Sequence, residues 1–371
     1  MGKYNVLLTC MGGYGAVNFA DDVKNSRIGH KIKFFGSHAD KYLLSRSSTE
    51  NNYLVPWAKD ERNYIEAMNQ IIENEKIDLV IPKSDREVAV VSKNRHKIQC
   101  NLFLPEDSEI EAAQDKLSFA KILEKRSINI AKTYGLTDFD MINETLEKLP
   151  NAEKYFVRVK TAGAPGAIAA TWVNNANQAI MWIKLWQELH SIELSEFTIS
   201  EFLPGRLFEC IVIYKEGELK TAKFYENLRY YGADQRLSGM ESTPEVARTS
   251  DDESGLQALK ESIKAVEGVA SHVGTKPNGV YHLSSKANKK GDPCITECNI
   301  GRTPSTIAFF NRTGKNNISE MYVRFGLKMR EEQIGDVFDI EKEEIYMIRS
   351  LDHELVLLKK QEIEKKIIDI S

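Results

Sequence analysis

The sequence predicts an α/β protein with a parallel-sheet domain at its N-terminus and a larger mixed α+β region after it. Three observations point there. Between residues 5 and 105, short apolar runs alternate with helical periods, the pattern of βαβ units. Over 198–226 and again over 278–298 the chain is rich in strand formers, broken by turns at Glu216-Gly217 and Lys289-Lys290-Gly291-Asp292. No internal repeat or low-complexity segment interrupts the 371 residues, which at roughly 100–200 residues per domain make two or three domains.

In chain order, residues 6–10 form the first strand, and Gly12-Gly13-Tyr14-Gly15 the turn after it. A helix to about residue 27 places Phe19 and Val23 on one face. Strands are expected at 32–36 and 53–56. Ile65, Met68 and Ile72 recur at helical spacing, so 61–76 reads as a helix. Residues 77–82 read as a buried strand, 84–96 as a helix and 101–105 as another strand. Ser108-Glu109-Ile110-Glu111 is a capping-box pattern opening helical sequence that runs past Asp115-Lys116 to about 126. Residues 155–160 read as a strand, 161–167 as a small-residue loop, 168–173 as a strand and 177–189 as an amphipathic helix. After the β-rich stretch come a helix over 256–273 and strands over 278–284 and 294–298. The end alternates over 346–351 and 354–358, which predicts a hairpin followed by a short charged helix.

Composition excludes several function classes. With 50 Lys+Arg against 54 Asp+Glu the formal charge is −4, which argues against a nucleic-acid partner held by bulk positive charge. Hydrophobic residues make up 42% and charged residues 28%, as in an ordinary globular protein. No apolar run approaches the roughly 18–20 residues of a membrane span. The start enters a strand without the basic segment and cleavage site of a signal peptide. Five cysteines, an odd number, do not read as a disulfide framework, so a reducing cytoplasm is the expected location. Cys294 and Cys298 lack a second pair for zinc, the seven histidines form no His-x-x-x-His, and Trp172, Trp182 and Trp186 read as packing. The first glycine cluster follows a strand and opens a helix, a place that favours anions. Its spacing is not G-x-G-x-x-G, so tight-turn glycines are the better account.

The later motifs carry more, because of their order. Phe156-Val157-Arg158-Val159-Lys160 is a strand with two cations at i and i+2, hence on one face. Ser200-Glu201-Phe202-Leu203-Pro204-Gly205 joins a strand to a turn. Glu226-Asn227 precedes Tyr230-Tyr231-Gly232, and Thr296-Glu297-Cys298-Asn299 puts Glu297 and Asn299 on one face of a strand. A triphosphate needs cations at its phosphates, a flat apolar slot with backbone polar groups for adenine, and oxygen ligands for Mg²⁺. All three are present in separate segments.

This order resembles the ATP-grasp superfamily, in particular the ATP-binding halves of the carbamoyl-phosphate synthase large subunit and related single-chain carboxylate-amine ligases. The resemblance spans about residues 4–328. It implies a Rossmann-like domain over 1–106, a two-lobed ATP-grasp domain over 107–330 with a small lid lobe at about 120–198, and a C-terminal extension over 331–371. It also implies ATP and Mg²⁺ as cofactors. Lys116, Arg158 and Lys160 would meet the phosphates. The Glu201 carbonyl and Leu203 N–H, with Phe202 between them, would recognise adenine. Glu297 and Asn299 would hold the metal, and Arg302, behind the flexible Gly301, would reach back to the transferred phosphoryl group beside Arg158. Glu226-Asn227 and Gly232 match the nucleotide and substrate mouth.

The chain departs from the pattern at four places. The arginine that normally follows Asn-Pro is delayed, as Asn299-Ile300-Gly301-Arg302. Ser284 falls where the family carries its first metal ligand, with His282 two residues earlier. Pro165 leaves the 161–167 loop without one N–H donor. Leu207 stands nearest the ribose-binding glutamate, for which Glu209 is the substitute. The implied activity is an ADP-forming ligase that joins a small amino-acid-like carboxylate to an amine through an acyl phosphate. A phosphotransferase making an acyl or carbamoyl phosphate and a non-catalytic nucleotide sensor are the alternatives. Glu209, Arg229, Asp234 and Arg236 are charged candidates for the substrate mouth. The expected partners are small molecules, neither nucleic acid nor membrane, with a homodimer through the C-terminal extension as an option.

Overall fold

The computed structural model describes residues 3–149, 153–160, 168–330, 332, 335–350 and 356–359. The first domain comprises β1 (Tyr4–Leu8), α1 (Tyr14–Lys24), β2 (Ile32–His38), α2 (Lys41–Leu44), β3 (Asn51–Leu54), α3 (Glu61–Glu75), β4 (Leu79–Ile81) and α4 (Asp85–Lys93). Next come α5 (Asp107–Gln114), α6 (Lys116–Lys125), β5 (Thr133–Gly135), α7 (Met141–Lys148), β6 (Tyr155–Val159), β7 (Thr171–Val173), α8 (Ala176–His190) and β8 (Phe197–Glu201). The remainder contains β9 (Leu207–Lys215), β10 (Glu218–Tyr230), β11 (Pro244–Arg248), α9 (Glu253–Val273), β12 (Gly279–Ala287), β13 (Pro293–Ile300), α10 (Ile307–Arg312), α11 (Ile318–Gly326), β14 (Ile345–Ile348) and β15 (Val356–Lys359).

The α/β class holds. The N-terminal strands form a parallel sheet in the order β3-β2-β1-β4, so the strand order reverses at β1. The expected strand at 101–105 reduces to a single bridge between Leu79 and Asn101. Its apolar residues, Phe103 and Leu104, are buried, but the chain passes on without pairing further. The capping box lies at Ser84 and Glu87, opening α4, and not at Ser108, which sits inside the first turn of α5.

The large sheet runs β13-β12-β9-β10-β11-β14-β15, with antiparallel pairing throughout. The C-terminal hairpin therefore completes this sheet. The short charged helix expected after it lies outside the described residues. A small antiparallel sheet, β5-β8-β6-β7, carries α7 and α8 and has its own core of Val157, Ile183, Phe197 and Ile199. The 161–167 loop also lies outside the described residues.

Alternation on the large sheet decides where the site lies. On β9, β10, β12 and β13, one set of side chains (Phe208, Cys210, Phe224, Tyr281, Leu283, Cys298) is buried in a core shared with α9. The opposite set begins apolar. Ile211, Ile213, Tyr225 and Val280 pack with α1, α10 and α11 in a second core that ties the first domain to the sheet. Farther along the same face the set turns polar, with Glu209, Asn227, His282, Ser284, Glu297 and Asn299. This polar end of the sheet face, beyond the part covered by helices, is the floor of the candidate site, called the cleft below.

Candidate active site

The cleft floor is built by register. Glu209 on β9 stands opposite Ser284 on β12, and Ser284 stands opposite Glu297 on β13, so the three lie in one row. His282 and Asn299 form the next pair in the same strands. A bulge after Ser284 shifts the pairing so that Thr296 is skipped, and Arg158 from β6 donates to the freed Thr296 carbonyl at 2.9 Å. That bond carries the small sheet's cation over the strand holding Glu297.

Lys116 arrives from the other side. Asp115 accepts from the Ser118 N–H and caps α6, and the Lys116 N–H donates to the Lys160 carbonyl at 2.8 Å. Burial pulls the Lys116 ammonium below its usual range; Glu297 and Asp85 oppose the shift, while Arg158 and Arg302 add to it. Burial lowers Arg158 also, against the pull of Glu297. Lys116, Arg158 and Arg302 thus act on one carboxylate, Glu297, from three segments. The Arg158 Nε is buried without a hydrogen-bond partner among the described residues. Such a donor suits an anionic ligand better than an empty cleft.

Arg302 is pinned from the first domain. Its Nε and Nη2 bind Asp85 side-on at 2.5 and 2.8 Å, and Nη2 also donates to Asn299 Oδ1 at 2.6 Å. Burial works against the Arg302 charge, but Asp85 outweighs it and raises the guanidinium. Burial likewise pushes Asp85 up, yet Arg302 holds it below the usual carboxylate range. The sequence reading has no role for Asp85. Its only signal is a carboxylate in the first turn of a helix that follows a parallel strand.

The remaining residues are placed as follows. The Glu209 carboxylate accepts from the Ser284 hydroxyl at 2.8 Å and lies 3.1 Å from His282 Nε2, without an aligned hydrogen bond to it. His282 Nδ1 is 3.3 Å from the Asn299 amide nitrogen. The carboxylate lacking at Ser284 therefore stands one strand away, at Glu209. Lys160 Nζ lies 3.6 Å from Glu196, while its carbonyl anchors α6. The hinge Glu201-Phe202-Leu203 leaves β8, and Leu203 joins Ala131 and Cys294 in a small separate apolar cluster. Phe202 is flanked by the ammonium groups of Lys154 and Lys286. The Leu203 N–H has no acceptor among the described residues, and it lies beside the apolar cluster with Ala131 and Cys294.

Three residues expected at the mouth are engaged elsewhere. Glu226 faces α9, opposite to Asn227, and is clamped by Arg206 at 2.6 and 2.8 Å and by Arg248 at 2.8 Å. Alternation on β10 separates the adjacent pair. Arg229 binds Glu245 side-on, and Arg236 is paired with Glu241. Replacing Glu226 with Gln leaves two arginines short of a carboxylate, and is expected to cost about 2–3 kcal/mol of stability. Any ADP release per folded molecule should be unchanged. Chemical denaturation alongside a turnover assay checks both halves.

The donors fit a metal only in part. Among the described residues no group of three or more His, Cys, Asp or Glu is arranged to hold a metal ion. Glu297 and the Asn299 amide oxygen are hard donors, and Mg²⁺ is commonly held by one or two carboxylates plus phosphate oxygens and water. The residues therefore suit a phosphate-bridged Mg²⁺ rather than an all-protein cage. Among the described residues no helix is long and apolar enough to cross a membrane.

No family model matches the sequence, and no curated protein does. Solved structures do match. The L-amino acid ligase of Bacillus licheniformis superposes with a TM-score of 0.69 at 15% identity, over 94% of this chain and 80% of that one. The N5-carboxyaminoimidazole synthetase of Staphylococcus aureus, solved with ADP, gives 0.69 at 12%, over 94% and 83%. The biotin carboxylase domain of the Hydrogenobacter thermophilus 2-oxoglutarate carboxylase, solved with magnesium ADP and bicarbonate, gives 0.71 at 10%, over 94% and 75%. These are ATP-grasp enzymes, and at such low identity the likeness is one of fold: the chain has the ATP-grasp architecture over nearly its whole length.

Proposed function

We propose that this chain is an ATP-dependent carboxylate-amine ligase, acting on small amino-acid-like substrates through an acyl phosphate and releasing ADP and phosphate. The observation that carries the reading is the gathering of Lys116, Arg158 and Arg302 around Glu297 in one cleft. Phosphoryl transfer asks for positioning and charge neutralisation more than for an acid or base. Three cations with two carboxylates among them, Glu297 and Asp85, meet that demand and leave net positive charge for a triphosphate. The ATP, ADP and bicarbonate bound in the neighbouring folds support the same chemistry.

In this reading Leu203 N–H and the Glu201 carbonyl hold adenine beside Ala131 and Cys294. Lys116 and Arg158 grip the phosphates. Glu297 and Asn299 Oδ1 would hold Mg²⁺, which when bound would supply charge neutralisation at the phosphates. Arg302, fixed by Asp85, faces the phosphoryl group as the substrate carboxylate attacks it and ADP leaves; an amine then attacks the acyl carbon, and phosphate departs to leave the amide. Glu209 orients the Ser284 hydroxyl, with His282 beside it, on the same sheet face as Glu297 and Asn299.

The test is ADP release with Mg-ATP over pooled carboxylates and amines. ADP formation that requires one member of each pool, with an amide product, is expected. A labile phosphorylated product without amine dependence would point to a phosphotransferase. Stabilisation by ATP with no ADP formed over broad pools would overturn catalysis altogether.

A further inference from the structure

Two lysines reach into the fold, Lys223 buried and Lys83 half-buried, and they are treated differently. Lys223 is saturated: its ammonium donates to the carbonyls of Phe310, Thr313 and Asn316 and lies 3.0 Å from Asp339. Lys83 is not. Its ammonium meets the carbonyl oxygen of Thr303 at 3.2 Å and the Thr303 hydroxyl, both neutral, and lies 5.1 Å above the Phe19 ring. The charged or ionisable neighbours that act on it are Arg302, a second cation, and the Cys10 thiol, with no carboxylate among them. An ammonium has three donors, and Thr303 accounts for two. A half-buried cation beside another cation is a place that an anion would complete.

The surroundings are those of a ligand site. Lys83 follows β4, and Cys10 follows β1, the two strands between which the sheet order reverses. Ligands of open parallel sheets bind outside the carboxyl ends of strands at that reversal. The backbone is strained there, with Cys10 at φ +50°. The glycine cluster shapes the wall. Gly12 has φ +92°, and a Cβ on it would lie 1.7 Å from the Leu43 carbonyl oxygen. A Cβ on Gly15 would come within 3.0 Å of Ser305 Cα, so glycine lets the loop after Arg302 close on α1. Burial, with Arg302 beside it, brings the Lys83 ammonium down to about 7, as an uncompensated cation requires.

We propose that Lys83, with Arg302 beside it, forms the subsite for the carboxylate of the acceptor substrate, at the carboxyl ends of β1 and β4. The subsite is occupied by a small anion from solution, and Thr303 holds the ammonium toward it. The identity of that anion as a substrate rests on the ligase reading, whereas its binding at Lys83 does not.

The probes are succinate, L-glutamate and inorganic phosphate, titrated calorimetrically into the full chain saturated with Mg-ADP. At least one should bind the wild type, and Lys83→Met should weaken it by roughly thirtyfold or more. The stabilisation of the same variant by Mg-ADP should persist. Without ligand, Lys83→Met should melt no lower than the wild type, because the unpaired charge is gone. Protection of Lys83 from acetic anhydride by the bound anion, read by mass spectrometry on the wild type, decides the matter if the variant fails to fold. Equal anion affinity in Lys83→Met, or no binding of any of the three probes, overturns the proposal. Loss of Mg-ADP stabilisation in the wild type, with anion protection of Lys83 intact, counts against the ligase reading alone.

Discussion

Glu297→Gln is expected to lower ADP release by roughly 10²–10³-fold while leaving nucleotide binding without Mg²⁺ intact or tighter. The opposite signs follow from the charges around it. Glu297 is the carboxylate on which Lys116, Arg158 and Arg302 all act. Neutralising it raises the positive charge of the cleft, which favours a bare polyphosphate. It also removes the hard donor that would share Mg²⁺ with the phosphates, so turnover falls. The free variant should be less stable than the wild type, since three like charges lose their shared counter-ion. Metal-free ADP should restore that loss. Thermal shifts with ADP plus EDTA and with Mg-ADP, beside a turnover assay, separate the effects. Equal shifts and equal turnover in variant and wild type would remove Glu297 from the site.

The cleft was legible where one local rule suffices. Glu297 and Asn299 share a face because strand side chains alternate, and the register confirms the alternation on β12 and β13. Only their order along the chain singles out Lys116 and Arg158, since nothing local distinguishes them from surface cations. What escaped the sequence depends on distant partners. Asp85 acquires its meaning from Arg302, 217 residues later. Lys83 acquires its own from Thr303 and Phe19, one far along the chain and one on α1. Glu226 looks like Asn227 in sequence, and only the strand's two faces send one to an arginine clamp and the other to the cleft.

Secondary structure failed for related reasons. α11 is the exception: Ile318, Met321, Tyr322 and Phe325 recur at helical spacing, a period the sequence reading passes over, and the polar face is buried as well, with Arg324 paired to Glu320. β5 is a three-residue strand completed by β8, far along the chain. The apolar run at 102–105 has strand composition but no neighbour on its outer side. Ser108 offers a capping pattern, yet the preceding residues already enter α5, and the side-chain cap forms where Ser84 and Glu87 meet Thr9. Local propensity proposes, and tertiary partners decide.

Asp85→Asn is expected to slow turnover by roughly tenfold or more and to cost about 2–3 kcal/mol of stability. The carboxylate holds Arg302 through two parallel bonds, an arrangement that fixes both the position and the plane of the guanidinium. Asparagine accepts one such bond at most, so Arg302 keeps its charge but loses its orientation toward Asn299 and the phosphoryl group. The sign of the pH dependence follows from the lowered Asp85 carboxyl. A group depressed on folding adds stability that is fully present above its unfolded value, about 3.9, and that is lost as pH falls through the lower folded value. The wild type should therefore lose stability faster than Asp85→Asn below about pH 4, with their unfolding curves converging there. Above pH 5 the gap should be constant. A KM for ATP close to wild type with a reduced kcat marks Asp85 as a positioning residue. A parallel fall in nucleotide affinity would show instead that the first domain and the cleft had come apart.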